Sequence, residues 1–336
     1  MRAIFLRRSC SPGGLKLEEC PDPTPGPMDV LIGVRTAGVN FADVLARQGL
    51  YPDAPRRPYI LGHETSGEIL ALGELVAGLR VGQRVLAYHL GGGYAEKIAV
   101  PAAQVFSIPD KLPYQAAVLL PLNYGTAYVA YYRTGPVEAG MRVFIHAAAG
   151  GVGMAAVDLA RRAGLEVVGS ASTHFKRARL LAEGVKHVVP SRRMRVHKIA
   201  KRLFGGRAFD IVIDSIGGRS ISDGLRSLKP GGRVISCGVG QISGRGLLGA
   251  LLFFLRAPRM TYLDLLAPSR GIYGVNLPKL MAEPTLVRRT LETLIEWSAA
   301  GEIQPAPGRV MALADAGEAH KFLESRGNVG KIVLQV

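Results

Sequence analysis

The segment that most constrains this chain is Ala147-Ala148-Ala149-Gly150-Gly151-Val152-Gly153, because it lies where an apolar strand must give way to a helix. Arg142-Val143-Phe144-Ile145-His146 reads as a short buried strand and Met154 to Ala163 as a helix, so the glycines fall at the join. That is the geometry of a dinucleotide pyrophosphate site: backbone N–H groups at a helix N-terminus point at phosphate, and missing side chains allow close approach. A glycine-rich join also serves as a plain tight turn, and Ala148 stands where the first of the three usual glycines would be.

The flanking pattern favours the first reading. A second apolar run, Leu165 to Ser170, follows roughly 20 residues after the glycines, where a strand-helix-strand unit places its second strand. Phe209 to Asp214 and Gly232 to Gly238 are further short apolar runs bounded by glycine, proline or charge. Strands alternating with helices predict a doubly wound parallel sheet, hence an α/β fold. At the end of the second strand, where an NAD site places a carboxylate for the ribose hydroxyls, the chain has Gly169-Ser170-Ala171-Ser172-Thr173, then His174, Lys176 and Arg177. Small hydroxyl residues backed by cations suit the 2′-phosphate of NADPH. Lys176, Arg177 and Arg179 are equally open to being a solvated helix face.

The N-terminal third differs in texture. Asp29 to Ala37, Gly67 to Leu72 and Gly82 to Ala87 read as strands closely punctuated by glycine and proline, which predicts a compact β domain. A helix is expected from Thr285 to about Ala300, and a closing strand, Lys331 to Val336, of the kind that rejoins the first domain's sheet.

Composition bounds what such a chain does. At 336 residues it has room for two domains, and 48% hydrophobic with 20% charged residues is ordinary for a globular protein. No signal peptide is expected, since Arg7 and Arg8 end the first apolar run, and the most apolar stretch, Leu247 to Leu255, is too short to span a membrane. Cys10, Cys20 and Cys237 show no metal or redox spacing, which predicts a reducing, cytoplasmic compartment. The net charge of +16 is fed by Arg192, Arg193, Arg195, Lys198, Lys201, Arg202 and Arg207. Without a recognition module or interleaved aromatics this does not predict nucleic-acid binding. It fits a solubilising surface or attraction of anionic partners: NADPH, or an acyl group on coenzyme A or an acidic carrier protein.

Several motifs then occur in a telling order: Val39-Asn40-Phe41-Ala42-Asp43, Gln48-Gly49-Leu50-Tyr51-Pro52, Gly62-His63-Glu64, Gly92-Gly93-Tyr94-Ala95-Glu96, the glycine turn, Leu228-Lys229-Pro230-Gly231-Gly232-Arg233 and Asn328-Val329-Gly330-Lys331. In this the chain resembles the medium-chain dehydrogenases/reductases, in particular their zinc-independent quinone oxidoreductase (zeta-crystallin-like) branch and, more narrowly, the vesicle amine transport protein homologues. The resemblance implies a GroES-like catalytic domain at 1–121, completed by 278–336, a Rossmann domain at 122–277, and NADPH held in a cleft between them. It also implies a homodimer through Rossmann edge strands, with Gly271 to Val275 as the candidate edge. Zinc-dependent relatives hold a catalytic metal through positions matching Asn40, His63 and a residue near Leu122; only His63 keeps a ligand side chain, and no cysteine lies between Val81 and Val100 for a structural zinc, so no metal is expected.

By the same resemblance the cofactor contacts are Thr126, Ala149, Gly150, Gly151, Val152, Gly153, Ser170, Lys176, Arg177, Ser191, Gly238 and Asn328, with Tyr124 bordering the nicotinamide. Pro190-Ser191 replaces the Asn-Tyr or Asn-His of many relatives, with Arg192 or Arg193 as possible compensation. Without a Lewis acid, reduction of a conjugated carbonyl needs a donor at its oxygen. Tyr51 is assigned that role by resemblance to enoyl-thioester reductases, with Asn40 and Asp43 at the nicotinamide end; a loop aromatic shaping a pocket and turn-capping residues are the alternatives. The apolar 241–270 segment shapes either a substrate pocket or a partner surface. Three activities stay open: an NADPH-dependent reductase of quinones or α,β-unsaturated carbonyls, an enoyl-thioester reductase, and a non-catalytic nucleotide- or lipid-binding regulator.

Overall fold

The structure is a computed structural model and describes residues 1–191, 195–238, 255, 259–280 and 282–336, and of Pro278 the backbone alone. The chain separates into two compact units, Met1–Asn123 with Pro284–Val336, and Tyr124–Glu283.

In the first unit, β1 (Arg2–Leu6), β2 (Leu17–Glu19) and β4 (Tyr59–Ile60) form a small antiparallel sheet in the order β2-β1-β4. A larger sheet runs β15-β16-β3-β5-β6-β8, with β7 also pairing β3; these are β3 (Asp29–Val39), β5 (Glu64–Leu72), β6 (Arg84–Tyr88), β7 (Lys97–Pro101), β8 (Val105–Ser107), β15 (Pro307–Ala312) and β16 (Lys331–Gln335). The closing strand β16 joins this sheet as expected, antiparallel to β3. β3 lies at its centre because it alternates: Val30, Ile32 and Val34 face a core with Ile69, Val85, Ile98 and Val100, which a period of two directs to one side. A second core gathers Ile4, Leu6, Val39, Leu61, Tyr94, Ile332 and Leu334.

Register decides what meets at the end of β3. Ile332 pairs Val39 and Val333 pairs Gly38, so the next step brings Lys331 across from Asn40. Ala37 pairs Thr65, so the next step brings Glu64 across from Gly38. The strand then turns into α1 (Phe41–Gln48), which ends at Gly49 in the left-handed conformation (φ 78°) that glycine adopts without strain. A short helix, α2 (Tyr114–Ala117), is tied to the sheet by the Thr36 and Ser66 hydroxyls, which donate to Tyr114 O at 3.1 and 2.8 Å.

Among the described residues the second unit holds six strands, all parallel, in the order β11-β10-β9-β12-β13-β14: β9 (Arg142–Ile145), β10 (Glu166–Ala171), β11 (His187–Pro190), β12 (Phe209–Asp214), β13 (Leu228–Ser236) and β14 (Gly271–Gly274). This is the Rossmann-like sheet predicted from the strand-helix alternation, and its order reverses between β9 and β12. The connecting helices are α4 (Gly151–Arg162), α5 (His174–Ala182), α6 (Val196–Phe204) and α7 (Arg219–Ser227), preceded by α3 (Gly125–Tyr132), which packs on α4. α6 and α7 pack together over Phe144, Val168, Phe209, Val212 and Val234, the apolar runs of the central strands. Helix α4 starts at Gly151 rather than Met154, since all three turn residues before Met154 already take helical form.

Among the described residues β14 is the sheet edge, the strand that the resemblance gives as the candidate edge. Among the described residues no helix is long and apolar enough to cross a membrane. The 239–254 part of the apolar segment, including nearly all of Leu247 to Leu255, lies outside the described residues, as do Arg192 and Arg193.

Candidate active site

In the second unit the site is made of backbone. Ala147 carries a positive φ of 48°, and its N–H donates to Ser170 Oγ at 3.3 Å, while Ala148 N–H donates to Ser170 O at 2.9 Å. Ser170, at the end of β10, thereby holds the turn. Ala148, standing where a glycine is usual, is fully buried, and a Cβ on Gly169 would come within 3.0 Å of its methyl; the glycine of β10 makes room for the methyl of the turn. Gly153 has no such latitude, because a Cβ there would lie 2.5 Å from both Ala147 O and Ala148 O. Gly150 caps α4 in extended conformation with no side-chain cap, and the first turn carries no acidic residue. The N–H groups of Gly151, Val152 and Gly153 have no acceptor within the helix, which leaves a positively polarised cradle beside Ala149 suited to phosphate.

Around it, Thr173 caps α5 by accepting from Lys176 N–H at 3.3 Å. Lys176 is buried and Arg177 half-buried, so they are not a solvated face; Arg179 is exposed and paired with Glu183. Ser191 N–H donates to Ala171 O at 3.0 Å, which sets the exposed Ser191 beside the end of β10. Thr126 is buried in α3, and Tyr124 spends its hydroxyl on Asp158 at 2.7 Å. Gly238 follows β13 closely enough that a Cβ would meet Ser215 O at 2.9 Å.

Sequence reasoning missed the groups at the ends of β9 and β12. Asp214 is fully buried and accepts from Ile216 and Gly217 N–H at 2.7 and 2.8 Å, and His146 Nε2 lies 3.8 Å from its other oxygen. Burial lowers the His146 pKa and pushes the Cys237 thiol up to about 12, so that thiol stays protonated.

The first unit builds its site from buried charge. Asn40 and Asp43 open α1, and Asp43 Oδ2 accepts from Asn40 N–H at 2.8 Å. Asp43, with no exposed surface, also accepts from Gly62 N–H at 3.2 Å and from the Tyr94 hydroxyl at 3.2 Å, which in turn lies 3.3 Å from His320 Nε2. His63 Nε2 stands 3.5 Å from Asp43 Oδ1, while its Nδ1 accepts from Gly91 N–H at 3.3 Å. With Nδ1 occupied as an acceptor, the ring proton sits on Nε2 and faces Asp43. Burial drives His320 and His89 down to about 4, keeping both neutral near pH 7.

Asn40 turns its side chain the other way. Its Nδ2 donates to Glu64 Oε1 at 2.9 Å, its Oδ1 accepts from Lys331 Nζ, and Lys331 pairs with the same Glu64 oxygen. Glu64 Oε2 accepts from Leu122 N–H at 3.0 Å. Glu64 and Lys331 both stand in motifs quoted above, yet only the register across β5, β3 and β16 shows that they meet.

Tyr51 follows α1, its ring centroid 5.9 Å from that of His63. Among the described residues its hydroxyl has no hydrogen-bond partner, and burial with nearby Asp53 and Asp43 pushes its pKa up to about 12. Tyr59 behaves alike: its hydroxyl is buried without a partner and also rises to about 12. Asn328 uses Nδ2 to bond Gly330 O at 2.9 Å, which shapes the loop that delivers Lys331.

Against known proteins, residues 26–110 match the alcohol dehydrogenase GroES-like domain and residues 183–334 the zinc-binding dehydrogenase family. The synaptic vesicle membrane protein VAT-1 homolog of Homo sapiens is 34% identical over 326 residues, covering 95% of this chain and 82% of that protein. The chain belongs to the medium-chain dehydrogenase/reductase superfamily. It is also 33% identical over 308 residues to a phenolphthiocerol/phthiocerol polyketide synthase subunit of Mycobacterium tuberculosis, covering 91% of this chain and 13% of that one. The quinone oxidoreductase from Thermus thermophilus, solved also with NADPH, superposes with a TM-score of 0.81 at 31% identity over the full length of both chains.

The zinc of some superfamily members does not fit the residues present. Asn40 has its amide oxygen on an ammonium, Leu122 offers a backbone donor already given to Glu64, and His63 points its N–H at Asp43. Among the described residues no group of three or more His, Cys, Asp or Glu is placed to hold a metal ion.

Proposed function

We propose that this member of the superfamily is an NADPH-dependent reductase of quinones and other α,β-unsaturated carbonyl compounds that works without zinc. The observation that carries the reading is the Tyr51 phenol: protonated through the neutral range, without an internal hydrogen-bond partner, and next to the His63 and Asp43 pair. Bound NADPH would supply the hydride. Gly150, Gly151, Val152 and Gly153 hold its pyrophosphate with backbone N–H groups, and Ser170, Thr173, Lys176 and Arg177 favour a 2′-phosphate where no carboxylate opposes it.

As hydride reaches the carbon conjugated to the carbonyl, negative charge grows on the carbonyl oxygen. The Tyr51 O–H donates to that oxygen and lowers the barrier. A tyrosine hydroxyl is a protonated donor across the neutral range, and the final proton arrives at carbon for an enone or at oxygen for a quinone. Asn40 and Asp43 order the start of α1 beside this group.

A second reading, enoyl-thioester reduction, draws support from the polyketide synthase relative and from the net charge of +16, which favours an anionic carrier. The strand β14, which among the described residues pairs only β13, supports a homodimer through continued sheet pairing. The deciding experiment follows NADPH oxidation against quinones, enones and enoyl-thioesters, beside a binding titration of NADPH against NADH. Turnover of the first two classes with NADPH preferred is expected. Preference for NADH removes the 2′-phosphate role, turnover of thioesters alone selects the second reading, and no turnover with any of them, alongside liposome binding, favours a non-catalytic nucleotide- or lipid-binding role.

A further inference from the structure

The amide of Asn40 meets two partners of opposite hydrogen-bonding character. An ammonium can only donate and an ionised carboxylate can only accept, so Lys331 requires the amide oxygen on its side and Glu64 requires the amide nitrogen on the other. Without both, the oxygen and nitrogen of an amide are interchangeable by a half-turn. The first amide hydrogen goes to Glu64 Oε1 at 2.9 Å; among the described residues the second reaches only Gly38 O at 3.4 Å, a weak engagement. Lys331 and Glu64 are enclosed, at 3% and 0% exposure, so solvent does not compete for either.

The space for this arrangement is reserved by Gly38, whose φ is not in the left-handed region. A Cβ there would clash with Glu64 Oε1 and lie 2.8 Å from both Glu64 Cδ and Lys331 Cε. Glycine stands at that strand position to admit the two side chains. We propose that Lys331, with Glu64, is a positioning residue for Asn40: the pair locks the amide in one orientation so that its weakly engaged N–H is presented to the reacting carbonyl. This rests on the reductase reading for its purpose, though not for its geometry.

The test compares the full-length wild type with E64Q/K331M, which removes both charges together, and with G38A, which keeps both charges and takes their space. With asparagine-selective 15N labelling, the Asn40 side-chain amide, assigned by its loss in N40A, should show two widely separated proton signals in the wild type. In both variants the separation should collapse. On activity, E64Q/K331M should lose roughly 10- to 100-fold in kcat with KM for NADPH unchanged. N40A/E64Q/K331M should turn over within about twofold of N40A alone, because the pair acts through that amide. Unchanged amide signals in a folded variant, or losses that multiply in the triple variant, overturn the proposal. Should E64Q/K331M not fold, G38A carries both readouts. If the wild type reduces no enone or quinone the reductase reading fails, while the amide signals still judge the inference.

Discussion

The two halves of the candidate machinery use opposite materials. The candidate site of the second unit consists of backbone N–H groups at the start of α4 and of glycines that clear space around them. The first unit uses side chains drawn from the whole chain, Asn40, Asp43, His63, Glu64, Tyr94, His320 and Lys331, and buries their charges. A backbone cradle costs little when empty, because water can satisfy exposed N–H groups. Buried charges must be satisfied at all times by each other, so that site is rigid before any ligand arrives.

The contrast is sharpest under single substitutions. Removing one member of the buried pair, by K331M or E64Q, should cost about 3–5 kcal/mol in denaturant unfolding, since the survivor is left as an uncompensated buried charge. The double variant should recover most of that loss; equal destabilisation by single and double variants would break the distinction between the two sites. In the backbone site, Gly153→Val drives a side chain onto two carbonyl oxygens. It should weaken NADPH roughly 100-fold in titration, with a stability loss of about 1–3 kcal/mol.

Acid should discriminate as well. His320 is held neutral with a pKa near 4 against an ordinary 6.5, so in the window between those values the unfolded chain binds the extra proton. The stability this residue lends above pH 6.5 is therefore lost as the pH falls toward 4, on the order of 3 kcal/mol. A His320→Gln variant, measured by urea unfolding at pH 7 and pH 4.5, should show a shallower loss than wild type. Tyr51→Phe should reduce kcat about 100-fold with NADPH affinity intact, and undiminished turnover would remove the phenol from its role as donor. The smallest effect is expected at Thr173→Ala, which deletes the cap of α5 and should cost about 1 kcal/mol in thermal unfolding.

Legibility followed locality. The glycine turn, the parallel strands around it and the closing strand β16 could be read from neighbouring residues, because hydrophobic period and turn chemistry act over short distances. Lys176 could not: the same residues fit a solvated helix face, and only burial on α5 decided against that reading. Ala148 looked like a departure from the glycine pattern until Gly169, across on β10, was seen to make room for it. The roles of Tyr94 and His320 carried no local signal, since a buried tyrosine and a buried histidine at distant positions look like ordinary core residues until they meet at 3.3 Å.

The sequence by itself determined the two-domain α/β character, the glycine-rich turn at the start of α4 and the lack of metal-ligand side chains, because each is a property of residue type and short spacing. The tertiary structure alone decided that a lysine 291 positions after Asn40 would fix its amide. Strand register is the physical reason: pairing of β3 with β5 and β16 is set by which faces bury apolar side chains along their whole length, and that collective alignment brings Glu64 and Lys331 to the glycine-cleared end of β3.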